Sequence, residues 1–123
     1  MSEAFVRACG LADIGPTGVH RALLGPDGPA VVVVRSDGVV YALADRCSHQ
    51  DFPLSEGEIF DGGLECALHG SLFDLASGAP DSPPATRPVP VHGVRIVDGD
   101  VLVDPVPATS AVPGAPVPES SII

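Results

Sequence analysis

The chain has 123 residues, of which 45% are hydrophobic and 18% are charged, and its formal net charge is −10. A chain of this length forms one domain with a single core, and its composition is typical of a folded protein. The excess of acids disfavours binding to nucleic acid and to anionic membranes, because both require cationic side chains. A partner protein with a basic face is compatible with this charge, although acidity can also serve solubility alone.

No targeting or membrane-spanning segment is visible in the sequence. Residues 1–10, MSEAFVRACG, lack the basic start and the apolar stretch of a signal peptide, and no apolar run approaches the length of a membrane-spanning helix. We therefore expect a cytoplasmic protein that does not bind membranes. In a reducing compartment its three cysteines are expected to bind metal or to stay as thiols rather than to form disulfides.

Short apolar runs separated by turn signals extend along most of the chain. Ser36-Asp37-Gly38 and Asp98-Gly99-Asp100 each lie between β-branched runs and each predicts a hairpin. No stretch has a sustained helical period, and the chain contains 14 glycines and 14 prolines. We predict an all-β antiparallel domain, a sandwich or a small barrel. The predicted strands are residues 3–8, 19–24, 31–35, 39–43, 57–60, 64–67, 72–75, 94–97 and 101–103.

Two segments are rich in proline. Residues 79–90, APDSPPATRPVP, cannot form an interior strand, because proline has no N–H for the ladder. They are predicted to form a stiff surface loop with an edge segment. Residues 105–123 contain prolines and little that could pack, so we predict an extended, mobile tail.

Four potential metal ligands occur as two pairs, Cys47-Ser48-His49 and Cys66-Ala67-Leu68-His69, which are separated by 16 residues. Sulfur and imidazole donors select zinc or iron rather than calcium or magnesium. A structural zinc site remains an alternative, although its usual spacing puts both cysteines on one knuckle and both histidines on a helix. A disulfide between Cys47 and Cys66 would leave the two histidines unexplained.

This pattern resembles the signature of the Rieske proteins, C-x-H followed at a distance by C-x-x-H. The stretch CALHGSLFDLASG extends the resemblance, since the family has a glycine, a phenylalanine and an aspartate at the positions of Gly70, Phe73 and Asp74. The order of strands and loops over residues 5–104 is similar to that of a soluble Rieske ferredoxin. The resemblance implies a Rieske-like domain over residues 1–104, with a two-loop cluster-binding subdomain at about 45–85 and a proline-rich tail at 105–123.

The cofactor that the resemblance implies is one [2Fe–2S] cluster. Cys47 and Cys66 would ligate one iron, and His49 and His69 the other. With two imidazoles in place of two thiolates, the oxidised cluster carries less negative charge, which raises its potential to roughly −150 to +300 mV. We expect a reduction potential at the low end of this range. Seven acids and one arginine lie between positions 45 and 74, and a phenylalanine stands where high-potential members have a tyrosine. The residues expected around the cluster are Leu54, Gly70, Ser71, Phe73, Pro83 and Pro84.

The function that the resemblance implies is one-electron transfer. The protein would carry electrons from a flavoprotein reductase to a terminal oxygenase of an aromatic ring-hydroxylating dioxygenase system, as a monomer that docks transiently. It would not be an enzyme, because His20 and His92 are too few and too scattered to form a second iron site. A small subunit of another redox enzyme, such as a nitrite reductase, and a structural zinc module are the alternatives. The docking face is predicted to include His49, Gln50, His69 and Pro80.

Overall fold

The computed structural model describes residues 5–14, 18–25, 28–36, 38–46, 53–60, 62–67, 71–80, 88–108 and 114–116. In these residues the regular structure is β-strand, apart from the one-turn helix α1 and a 3₁₀ turn, and the strands pair antiparallel. The predicted all-β antiparallel fold is confirmed. The elements are β1 (Val6–Gly10), α1 (Leu11–Ile14), β2 (Val19–Leu23), β3 (Ala30–Ser36), β4 (Val39–Ala44), the 3₁₀ turn Leu54–Glu56, β5 (Glu58–Phe60), β6 (Gly63–Glu65), β7 (Leu72–Asp74), β8 (Val91–His92), β9 (Val94–Val97), β10 (Asp100–Val103) and β11 (Ala115–Pro116).

The strands of the described residues form three sheets. The largest contains β2, β3 and β4, with β8 and β11 both paired to β4, while the other two have the orders β1-β10-β9 and β5-β6-β7. Both predicted hairpins are present, β3–β4 and β9–β10. Asp98 and Gly99 have φ values of 51° and 82°, which is the backbone that a two-residue type I′ turn requires.

The central strand β3 is buried on both of its faces. Val31 and Val33 pack with residues of the β1-β10-β9 sheet, whereas Val32 and Val34 pack with residues of the β5-β6-β7 sheet. Successive side chains of a strand point to opposite faces, so this run of valines separates two cores, whereas a single core was expected from the length of the chain. The first core stabilises the sandwich, and the second supports the small sheet that carries the candidate ligands.

Three short elements were not predicted from the sequence. Helix α1 is a single turn, too short to show a helical period, and β8 has only two residues that pair with Ala42 and Leu43. The expectation of a mobile tail is wrong for residues 114–116, because Ala115 and Pro116 pair with the edge of β4. Proline is tolerated at such an edge, where its missing N–H leaves no ladder bond unmade.

None of the helices in the described part of the chain is long and apolar enough to cross a membrane.

Candidate metal centre

The small sheet β5-β6-β7 presents one apolar face to the second core. Ile59, Leu64 and Phe73 are cross-strand partners on this face, and both Leu64 and Phe73 have no exposed surface. The neighbouring row on the opposite face contains Glu58 and Glu65. Alternation of apolar and acidic residues thus fixes which side of this sheet faces the core.

The second ligand pair begins directly after β6. Cys66 is 1% exposed and packs in the second core with residues that include Leu64 and Phe73. Its backbone N–H donates to the carbonyl oxygen of Ser71 over 2.7 Å, which closes the turn between β6 and β7. Ser71 is itself fully buried. Cys66 is therefore buried directly after β6, where its backbone is hydrogen-bonded to the residue before β7.

The segment with the first ligand pair is bounded by a buried carboxylate. The side chain of Asp45 has no exposed surface and accepts hydrogen bonds from the backbone N–H of Ser55, over 2.6 Å, and from its hydroxyl, over 2.7 Å. The guanidinium Nε of Arg21 lies 3.6 Å from the same carboxylate. These contacts join the end of β4 to the 3₁₀ turn, whose Leu54 is fully buried in the second core.

The two segments meet at Gly57. A Cβ atom on this residue would lie 1.7 Å from the carbonyl oxygen of Glu65, the residue before Cys66. The backbone N–H of Gly57 donates to the carbonyl of Leu54 over 2.9 Å. Only glycine allows so close an approach of the two backbones. The chain just after the first ligand pair therefore lies against the residue that precedes Cys66.

A third loop has its base next to the same sheet. Pro80 forms a bridge with Phe73, and the N–H of Val89 donates to the carbonyl of Gly78 over 2.8 Å. Gly78 has a φ of 74°, and a Cβ on it would lie 2.0 Å from the carbonyl oxygen of Val89. The side chain of Asp74 accepts from the N–H groups of Ala76 and Ser77 and so stabilises the turn after β7.

The structure brings together the predicted site residues that it describes. Leu54, Cys66, Ser71 and Phe73 are buried in one region, and Pro80 pairs with Phe73. The other predicted site residues lie outside the described residues, namely Cys47, His49, Gln50, His69, Gly70, Pro83 and Pro84.

Three residues that contribute to the site were not predicted from the sequence: Arg21, Asp45 and Ser55. Asp45 and Ser55 are 10 positions apart and match no local turn or capping pattern, and Arg21 comes from a distant strand. The only visible signal was that Asp45 follows an apolar strand and immediately precedes the first ligand pair.

Two potential ligands outside the paired motif lie in structural environments. His92 is 3% exposed, and its Nδ1 lies 2.8 Å from the carbonyl oxygen of Asp104. Cys9 is 3% exposed in β1, and its burial raises the pKa of its thiol to about 11.

Comparisons with known proteins match this chain over most of its length. The family model of the Rieske [2Fe–2S] domain matches residues 5–108. The biphenyl dioxygenase ferredoxin subunit of Pseudomonas sp. (strain KKS102) is 36% identical over 101 residues, which are 81% of this chain and 91% of that protein. The anthranilate 1,2-dioxygenase ferredoxin subunit of Burkholderia cepacia is 46% identical over 74 residues, 60% of this chain and 68% of that protein.

Solved structures of dioxygenase ferredoxins are also similar to this chain. The ferredoxin of carbazole 1,9a-dioxygenase from Nocardioides aromaticivorans IC177 superposes with a TM-score of 0.77 at 33% identity, over 83% of this chain and 98% of that one. A chain from the complex of reduced oxygenase and oxidised ferredoxin in carbazole 1,9a-dioxygenase has a TM-score of 0.80 at 28% identity, over 89% of this chain and 100% of that one.

The fold and the site define a small antiparallel β-domain in which the buried Cys66 follows a strand of a separate three-stranded sheet. The chain belongs to the family of Rieske [2Fe–2S] domains, and its cofactor is one Rieske-type [2Fe–2S] cluster. The described residues fit this group, because Cys66 offers a soft thiolate donor at a rigid turn, shielded from water by Leu54, Leu64 and Phe73.

Proposed function

We propose that this protein is the ferredoxin component of a multicomponent aromatic dioxygenase system. The observation that supports this most strongly is length: the match covers 91% of a dioxygenase ferredoxin and 100% of the chain in the carbazole complex. Over these residues the chain therefore matches the carrier component of such a system. When bound, the cluster takes up one electron from a reductase and passes it to a terminal oxygenase.

The proposed ligands are Cys47, His49, Cys66 and His69. Cys66 contributes a buried thiolate next to Leu54 and Phe73, and we propose that Cys47 binds the same iron. His49 and His69 would bind the second iron. Cys66 is buried, and its backbone N–H is hydrogen-bonded to Ser71, so we expect little reorganisation of this donor during electron transfer.

The side chains around Cys66 favour a potential at the low end of the Rieske range. Phe73 has no hydroxyl that could donate to the cluster sulfurs, whereas Ser71, which is fully buried, has one. The exposed carboxylates of Glu56, Glu58 and Asp74 add negative potential, and this disfavours the reduced state.

We propose that the docking face consists of His49, Gln50 and His69 together with Pro80. Pro80 is anchored to Phe73 of the small sheet, so this end of the face is fixed. The protein would dock as a monomer in the cytoplasm, first with a flavoprotein reductase and then with the oxygenase. Each contact must be small and short-lived, because the carrier leaves after each electron.

The acidic surface predicts a dependence on salt. If carboxylates such as Glu56 and Glu58 steer the carrier towards basic partners, the rate of electron transfer falls as ionic strength rises. The measurement is the second-order rate constant at several salt concentrations. A rate that does not change with salt would contradict electrostatic steering while leaving the cluster assignment intact.

The proposed function is tested by mixing the chemically reduced protein with an oxidised terminal dioxygenase in a stopped-flow instrument. We expect the absorbance of the carrier to return to the oxidised form at a rate proportional to oxygenase concentration. In a complete system with reductase, aromatic product should form only when the carrier is present. Failure with the biphenyl, anthranilate and carbazole oxygenases, together with activity towards a nitrite reductase, would favour the other redox-subunit reading.

A further inference from the structure

Asp45 joins two parts of the chain that no other described side-chain hydrogen bond connects. Its carboxylate accepts both the backbone N–H and the hydroxyl of Ser55, and residues 46–54 between them include both members of the first ligand pair. We infer that Asp45 and Ser55 form a clasp that holds together the two ends of this segment, and that retention of the cluster by the proposed ligands depends on it. The inference rests on the proposed ligand assignment.

The geometry of the clasp fixes both the position and the orientation of Ser55. The backbone hydrogen bond of 2.6 Å holds the chain, and the hydroxyl bond of 2.7 Å uses the second carboxylate oxygen. Hydrogen bonds to an ionised group are about twice as strong as those between neutral groups. Because the carboxylate of Asp45 has no exposed surface, water does not compete for these bonds.

The clasp is also tied to the main sheet. The ion pair between Arg21 of β2 and Asp45 links the carboxylate to a strand of the largest sheet that β3 separates from β4. The backbone N–H of Asp45 donates to the carbonyl of Ala30 over 3.1 Å. Asp45, at the start of the segment with the first ligand pair, is therefore attached to the largest sheet.

The clasp at Asp45 differs from the hydrogen bonds of Asp74, which stabilise a single turn. Asp74 also accepts hydrogen bonds from a backbone N–H and a hydroxyl, those of Ser77, but it is exposed and its partner is three residues away. It therefore orders one turn. Asp45 is buried, and its hydrogen bonds to Ser55 join residues ten positions apart, on either side of the two proposed ligands.

Ser55→Ala is the primary test, because it removes one hydrogen bond without changing net charge. In the holoprotein we expect cluster loss in the presence of an iron chelator to become about tenfold faster, as for one lost bond to a charged group. We also expect a changed EPR spectrum or reduction potential. Ser55→Thr, which keeps the hydroxyl, should restore both. Ser77→Ala removes the matching bond to exposed Asp74 and should stay within about twofold of wild type.

Asp45→Asn is the second test, with Asp100→Asn as the control of equal charge. Asp100 pairs with Arg7 at the surface of a different sheet. We expect faster cluster loss only for Asp45→Asn. If Ser55→Ala and Asp45→Asn retained the cluster like their controls, with an unchanged EPR spectrum, the clasp would be refuted. A wild-type protein that holds no iron would instead refute the proposed function.

Discussion

Gly57→Ala places a methyl group where two backbones already touch. The new Cβ would lie 1.7 Å from the carbonyl oxygen of Glu65, whereas real Cβ contacts essentially never fall below 3.0 Å. The two segments must therefore part by more than 1 Å. Overpacking of this kind costs about 1–3 kcal/mol, and the nearest atom belongs to the backbone, which does not yield cheaply. We expect a net loss of stability of about 1 kcal/mol after the gain of about 0.4–1 kcal/mol from the less flexible unfolded chain.

The assay is urea unfolding of the holoprotein, followed both by far-UV circular dichroism and by visible absorbance. Gly93→Ala is the matched control, because its Cβ would meet nothing closer than 3.7 Å, and we expect it to lie within about 0.5 kcal/mol of wild type. Separation of the two ligand segments should make Gly57→Ala lose its visible absorbance at lower urea than its circular dichroism. Equal stability of the two variants would refute the reasoning.

The remaining predictions concern the core, the buried thiol and the potential. Phe73→Ala should destabilise the protein by about 3–5 kcal/mol, whereas Phe60→Ala, at a side chain 63% exposed, should cost less than about 0.5 kcal/mol; similar urea midpoints would contradict the assigned core. Because burial raises the pKa of Cys9 to about 11 from 9.0, its stabilising contribution is complete below pH 9 and is lost as pH rises towards 11. In Cys9→Ala, this fall in stability between pH 9 and about 11 should be absent, and urea midpoints measured across that range would show the difference. A pH profile identical to that of wild type would contradict the prediction. Phe73→Tyr should raise the reduction potential by tens of mV, if its hydroxyl donates to a cluster sulfur, and cyclic voltammetry would detect this.

The long strands and both hairpins could be predicted from the sequence because their signals are local. The run of valines in β3 and the Asp98-Gly99 turn report their conformation through residue type and spacing alone. Shorter elements could not be predicted in this way. A two-residue strand such as β8 is defined by its partner β4, and Ala115–Pro116 becomes a strand only through contact with an edge far away in the chain.

In the candidate site, too, residues in a local motif could be predicted, whereas residues that act through distant contacts could not. Cys66, Ser71 and Phe73 could be predicted because they lie in one short motif, and the structure places all three in the second core or next to it. Asp45 carries no such motif, since it acts through a buried hydrogen bond to a residue ten positions away. Contacts of this kind depend on packing, which spacing does not encode.

The most direct test of the account is the iron, acid-labile sulfide and zinc content of the purified protein, with an EPR spectrum recorded after reduction by dithionite. The account predicts two irons and two sulfides per chain and a spectrum with the low average g value of a cluster with mixed cysteine and histidine ligands. One zinc per chain, no iron and a silent spectrum, persisting after anaerobic reconstitution, would contradict it.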